Sequence, residues 1–156
     1  RDWSSDVCSS DLLARSPINH AWLIAFIPLV IASGGNSGNQ SATLVITALS
    51  SGDCTLADWR RILKREFVLG LLLGGMLAVP GYLLALVYAP SPAQALVIPL
   101  TILSVVMLGA LVGSVLPLIF RSLGLDPALM SNPFVSAIVD VVGIVLYTAI
   151  SLVLLG

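Results

Sequence analysis

Charge is what this chain has least of. Asp, Glu, Lys and Arg make up 10% of its 156 residues, against about 25% in a typical soluble domain, while 58% are hydrophobic before any glycine is counted. That balance excludes a water-soluble globular domain. An excess of one sign is missing too: seven Lys+Arg against eight Asp+Glu leave a formal net charge of -1, so no basic field exists to hold DNA or RNA. Cysteine and histidine are almost absent. Cys8 and Cys54 stand far apart in the chain and His20 is the single histidine, which gives neither a disulfide framework nor a zinc site.

The few charges are gathered into short segments. Residues 16–52, 67–120 and 127–156 carry none, with Asp140 as the exception. A helix needs about 20 apolar residues to cross the hydrocarbon core of a bilayer. These runs therefore predict an all-α fold, a polytopic membrane helix bundle with four complete spans near 21–49, 67–89, 95–120 and 133–155. A secretory signal cannot account for them, since it occurs once and its apolar run is shorter. Residues 1–12 contain Ser-Ser-Asp twice and show no apolar periodicity; they read as a non-native or disordered tail outside a transmembrane domain of residues 13–156. Leu12 to Arg15 read as the remnant of an earlier span.

Orientation follows from the basic residues. Arg60, Arg61, Lys64 and Arg65 fall in a loop over 50–66, and Arg121 opens a second loop over 121–132. The positive-inside rule puts both loops on the cytoplasmic side of a plasma membrane, the inner membrane where there are two, with the C-terminus outside. Thr55 with Asp58 three residues on is a helix-start signal, and Trp59 and Ile62 are expected on one side of the helix it opens, at headgroup level.

The first span is unusual in its middle. An apolar run ending at Ala32 gives way to Ser33-Gly34-Gly35-Asn36-Ser37-Gly38-Asn39-Gln40-Ser41-Ala42-Thr43 before Leu44-Val45-Ile46 resumes. Polar groups at membrane depth are tolerated where they are buried in protein or line a wet cavity. Asn36, Asn39 and Gln40 supply oxygens and N–H groups that suit a hydrated ion, and the glycines permit bending or close helix contact. Small and polar residues also glue spans together with no substrate involved, and both readings stand at this point.

Asp140 is the second anchor. It lies seven residues beyond Pro133, about 10 Å along a helix that starts there, with no Lys, Arg or His in any span to pair with it. Intramembrane carboxylates are expensive and mark ion paths or proton relays. Oxygen ligands without thiolates or imidazoles point to a hard divalent cation, Mg²⁺, Mn²⁺ or Ca²⁺. One carboxylate per chain suggests a homodimer that presents it twice across a two-fold axis.

An enzyme is not expected. Gly35-Asn36-Ser37-Gly38 formally matches the Gly-x-Ser-Gly of intramembrane serine proteases, but His20 precedes the span and cannot complete a dyad. A two-aspartate protease lacks its second Asp. The stronger alternative is a proton-coupled carrier of another solute, with Asp140 as its proton site.

The string Gly34 to Thr43, followed by Leu125-Asp126-Pro127-Ala128, by Asn132-Pro133-Phe134 and by Val139-Asp140-Val141-Val142-Gly143, resembles the transmembrane domain of the MgtE family of magnesium channels and transporters, over residues 21–156. The resemblance implies a homodimer with five spans per subunit and a central Mg²⁺ path lined by the spans matching the first and last here. It implies a metal site at Asp140, with Asn36 on the path and a backbone oxygen near Ser136. Gly34, Gly35, Gly38, Asn39 and Gln40 are the other expected pore-lining positions. The cytoplasmic Mg²⁺-sensing domains of that family have no counterpart in this sequence.

Overall fold

A computed structural model describes residues 21–155; the polar tail, the Leu12–Arg15 remnant, Cys8 and His20 lie outside the described residues. Among the described residues six α-helices follow one another: α1 (Ala21–Ile24), α2 (Ile27–Ser51), α3 (Trp59–Tyr88), α4 (Pro92–Ala95), α5 (Val97–Ser122) and α6 (Pro127–Leu155). No strand occurs among the described residues. Four stretches are long and apolar enough to cross a membrane: Ala21–Ser51, Leu56–Tyr88, Pro92–Ser122 and Ser131–Leu155. Four such helices is the number the sequence predicts.

Two boundaries differ from expectation, and both shorten a loop. The segment read as a loop over 50–66 is helical from Trp59 onward, so the four basic residues occupy the first turns of α3. What connects α2 to α3 is a turn at Gly52, φ 81°, and a 3-10 turn at Leu56–Asp58. Thr55 marks the helix start as predicted, its backbone N–H and hydroxyl both donating to Asp58 Oδ2 at 2.9 and 2.8 Å. Trp59 and Ile62, three residues apart, differ in burial: Ile62 is buried and Trp59 is exposed, stacked under the Arg60 guanidinium at 5.1 Å. The second loop likewise shrinks to the few residues around Gly124, φ 75°. Helix α6 begins at Pro127, where a proline is harmless in the first turn, and runs through Pro133.

Helix α5 is the centre of the bundle, with α2, α3 and α6 packed around it. Its sequence explains that position. Ile98, Ile102, Val105 and Val106 fill the space between helices, and Gly109 and Gly113 let a neighbour come close. That neighbour is α2. A side chain on Gly109 or Gly113 would strike the backbone of Gly34 or Gly38, so two pairs of glycines bring the helices into backbone contact. Helix α3 uses the same device on the other side of α5, where a Cβ on Gly70 would lie 3.2 Å from the Met107 backbone. The outward face of α3 is leucine and valine, from Val68 to Val87, as lipid contact requires.

The α1–α2 junction is a helix break with an identifiable cause. Pro28 has no N–H to offer the Ile24 carbonyl, and the chain restarts its helix with proline in the first turn. At membrane depth a loosened backbone needs partners. The Tyr147 hydroxyl of α6 supplies one, donating to the Leu23 carbonyl at 2.7 Å, while Phe26 is caught edge-on between Trp22 and Tyr88.

Candidate functional site

The polar string Ser33–Thr43 lies wholly within α2 as regular helix, with no unwinding at its glycines. A helix repeats every 3.6 residues, so the string is sorted onto faces. Gly34, Ser37, Gly38, Ser41 and Ala42 are buried, and Val45 continues the same face. The Ser37 hydroxyl reaches the Val106 carbonyl of α5 at 3.4 Å. Asn36, Asn39, Gln40, Thr43 and Leu44 line an open cavity of about 540 Å³. The two kinds of residue fall on different sides of one helix: small residues pack against the bundle, and the amides border a cavity.

Of the positions expected to line a pore, the amides border this cavity and the glycines lie elsewhere. Gly34 and Gly38 do not face the cavity; they are the points where α2 meets α5 and α6, and a Cβ added to them would come within 2.9 Å of Val139 and 2.6 Å of Val135 respectively. Gly35 faces a different neighbour, for its added Cβ would sit 3.7 Å from Asp140 Oδ1. One turn further along α2, the Asn39 amide donates to Ser136 Oγ at 3.0 Å. Helices α2 and α6 are therefore antiparallel neighbours whose facing residues step together, Gly35 with Asp140 and Asn39 with Ser136. Asn36 and Gln40 are exposed on the next stripe round, where they also border a second cavity of about 290 Å³ between α2, α3 and α5.

Asp140 is half-buried, and its carboxylate makes no hydrogen bond and no ion pair among the described residues. Because α6 starts at Pro127 and not at Pro133, the residue lies about 20 Å into the helix, deeper than the sequence reading put it. The smallest residue possible faces it. Gly35 leaves space beside the carboxylate on the α2 side, enough for a Cβ in ordinary contact with it. The Ser136 carbonyl, expected as an oxygen donor, belongs to a continuous helix and keeps its second lone pair for another partner. No three His, Cys, Asp or Glu side chains converge among the described residues.

Sequence reasoning missed two polar contacts. The Asn39–Ser136 bond was hidden because the partners are far apart in sequence, although the two helices were both marked as path-lining. The other is Ser41, whose hydroxyl donates to Glu66 Oε2 at 2.6 Å across α2 and α3. Glu66, counted with the basic loop from its neighbours, is buried with 1% of its surface exposed.

Comparison with known proteins agrees with this architecture. The family model MgtE, described as a divalent cation transporter, matches residues 27–150. The magnesium transporter MgtE of Thermus thermophilus is 42% identical over 134 residues, which is 85% of this chain and 29% of that protein. The magnesium transporters MgtE of Bacillus subtilis and Enterococcus faecalis are 26% and 27% identical, over 83% and 85% of this chain and 29% and 30% of theirs. The chain thus spans less than a third of the length of these curated relatives. A family model that covers most of the chain, over the four helices and both faces of α2, settles its membership: the chain belongs to the MgtE family of divalent cation transporters, a family of membrane transporters and not of enzymes.

Proposed function

We propose that this chain forms, as a two-fold dimer, a path for Mg²⁺ across a plasma membrane, with Asp140 as its metal site. The observation that carries this reading is a carboxylate half-way along α6 with no partner among the described residues, opposite Gly35 and one turn from the Asn39–Ser136 pair. Mg²⁺ gives up its water reluctantly and is usually held by one or two carboxylates through its hydration shell. A single chain offers one carboxylate. Two chains related by an axis beside α6 offer two, and the neutral oxygens of Asn36, Asn39, Gln40 and Ser136 suit the bound waters. The Ser136 carbonyl is a further oxygen of the same kind. Mn²⁺ and Ca²⁺ are the competing ions for such a donor set. The basic residues at the start of α3 and Arg121 at the end of α5 stand at the same end of the bundle. That end is cytoplasmic by the positive-inside rule, which leaves Leu155 outside.

The test is Mg²⁺ flux into proteoliposomes holding the full chain, with and without a pH gradient. Downhill uptake indifferent to the gradient supports an ion path. Uptake that needs the gradient makes Asp140 a proton site in a coupled carrier, and no uptake at all overturns both.

A further inference from the structure

The first two turns of α3 carry four cations for which the ion path has no use. Arg60, Arg61, Lys64 and Arg65 are all exposed, and none forms an ion pair among the described residues. The carboxylates nearest to them in the chain are engaged elsewhere. Asp58 accepts both Thr55 donors on Oδ2, and Glu66 is buried on the inward side of the helix with the Ser41 hydroxyl. Four positive charges therefore stand together at one end of the bundle with nothing of this chain against them.

Helical spacing aims these cations at the bilayer. The inward row of α3 is Ile62, Glu66, Gly70 and Gly74. Arg61 and Arg65 lie on the other side, in a stripe that continues at steps of three and four residues into Val68 and Leu72, 47% and 59% exposed. Beside it, Arg60 and Lys64 continue into Phe67 and Leu71, which are exposed as well. Each stripe changes from cationic to apolar within about 10 Å of helix while staying on the outward face. Charges that served topology alone could stand anywhere in the segment. Here the two residues between the basic pairs are the ones that turn inward, Ile62 being buried and Leu63 half-buried. Trp59 opens the helix at the same level with the Arg60 guanidinium over its ring, and tryptophan and long cationic side chains both settle among headgroups.

We propose that this face of α3 binds an anionic phospholipid, with its phosphate on Arg61 and Arg65, its acyl chains along Val68 and Leu72, and Arg60 and Lys64 beside the headgroup. A guanidinium matches phosphate oxygens two at a time. Phosphatidylcholine offers the same phosphate but brings its own cation against the patch, so the net charge of the lipid decides. Each basic residue near an anionic membrane surface is worth about fivefold in binding. The site is independent of the ion path and of which ion passes.

Trp59 reports the lipid beside it. In the full chain Trp3 and Trp22 are replaced by phenylalanine, leaving Trp59 as the one tryptophan. The protein is reconstituted in phosphatidylcholine vesicles in which a minor fraction of the lipid carries bromines on its acyl chains, as phosphatidylglycerol or as phosphatidylcholine, and bromine quenches on contact. Quenching of Trp59 should show brominated phosphatidylglycerol preferred by at least about fivefold. Arg61→Gln and Arg65→Gln should each lower that preference and together remove most of it. Arg121→Gln, at the same end of the bundle but beside Asp126, should leave it in place. In detergent, the melting temperature of the chain with all its tryptophans should rise with added phosphatidylglycerol and not with phosphatidylcholine, which carries the test where the single-tryptophan chain does not fold. Equal quenching by the two lipids, or an equal shift in melting temperature, overturns the proposal. So does a preference that survives Arg61→Gln/Arg65→Gln, and so does a loss in Arg121→Gln as large as in Arg61→Gln, which would assign the effect to the general field at that end. A preference abolished by inorganic phosphate at constant ionic strength would replace the lipid by a free anion and overturn it too.

Discussion

Replacing Asp140 by asparagine tests the site with the least disturbance of anything else. The side chain keeps its shape and one carbonyl oxygen, and Gly35 opposite it leaves room for the amide, since even an added Cβ there would stand 3.7 Å away. Only charge is lost. Two unit charges 4 Å apart are worth about 4 kcal/mol at an effective dielectric of about 20, and about 1 kcal/mol in water. A dication held through a water layer at about 6 Å feels each carboxylate by roughly 1.4 kcal/mol at the aqueous limit and roughly 5 kcal/mol at a dielectric of about 20. Both copies change together in a dimer, so the loss is at least roughly 3 kcal/mol, about a hundredfold in occupancy. Mg²⁺ uptake at concentrations below saturation should fall by that factor or more, measured with an ion-sensitive dye inside proteoliposomes. Insertion should not suffer, because removing an intramembrane charge eases it. Asp140→Glu, which keeps the charge and moves it by one methylene, should retain part of the flux. Uptake within threefold of the parent in Asp140→Asn would show that the charge is structural and that ions pass elsewhere.

The glycines of α2 should divide by face. Gly38→Ala forces its Cβ to 2.6 Å from Val135 and 3.0 Å from the Gly109 carbonyl, an overpacking of about 1–3 kcal/mol visible as a lower melting temperature in detergent. Gly35→Ala should leave that temperature unchanged, and equal losses in the two would contradict the assignment of faces. Asn39→Ala unties α2 from Ser136 as well as removing an amide, so its flux should fall further than that of Asn36→Ala, for which a loss of a few-fold is expected. The reverse order would put the path on the Asn36 stripe alone. Cysteine at Ser91 should react with an impermeant reagent from outside, and Cys54 only after permeabilisation; the opposite pattern inverts the topology. Ile144→Cys, one turn beyond Asp140 and 47% exposed, should crosslink between subunits, and a chain that stays monomeric in the membrane removes the shared site.

How much of this was legible in the sequence depended on whether the signal was local. Spans were readable because the cost of a charge in hydrocarbon acts residue by residue, and the uncharged stretches on either side of residues 53–66 and 121–126 mark them directly. Asp140 stood out for the same reason. The start of α3 was legible in the Thr55–Asp58 signal and not in hydropathy, where Arg60, Arg61, Lys64 and Arg65 look like a loop although arginine and lysine are good helix formers; the start of α6 was not legible. Pro133 looks like a start, but the helix had already begun at Pro127, and a membrane helix accommodates an internal proline.

The string Ser33–Thr43 shows the limit most clearly, because composition names the residues and leaves their azimuth open. Read linearly, eleven small or polar residues look like one feature with one purpose. Wound at 100° per residue, they become at least two. Gly34 and Gly38 fall on the side where Gly109 and Gly113 of α5 wait, and a helix cannot approach that closely on any face that carries side chains. Once those glycines are fixed against α5, Asn36 and Gln40 are turned away from it, and Gly35 and Asn39 are turned to α6. The close packing thus determines which amides reach the cavity. It also explains why the string mixes residue types in a short space: a helix that touches a central neighbour at backbone distance on one side and borders a cavity on another has its smallest and its most polar residues within the same few turns. Ser41 belongs to the packing side by burial and to neither group by chemistry, and its bond to Glu66 ties the arrangement to α3.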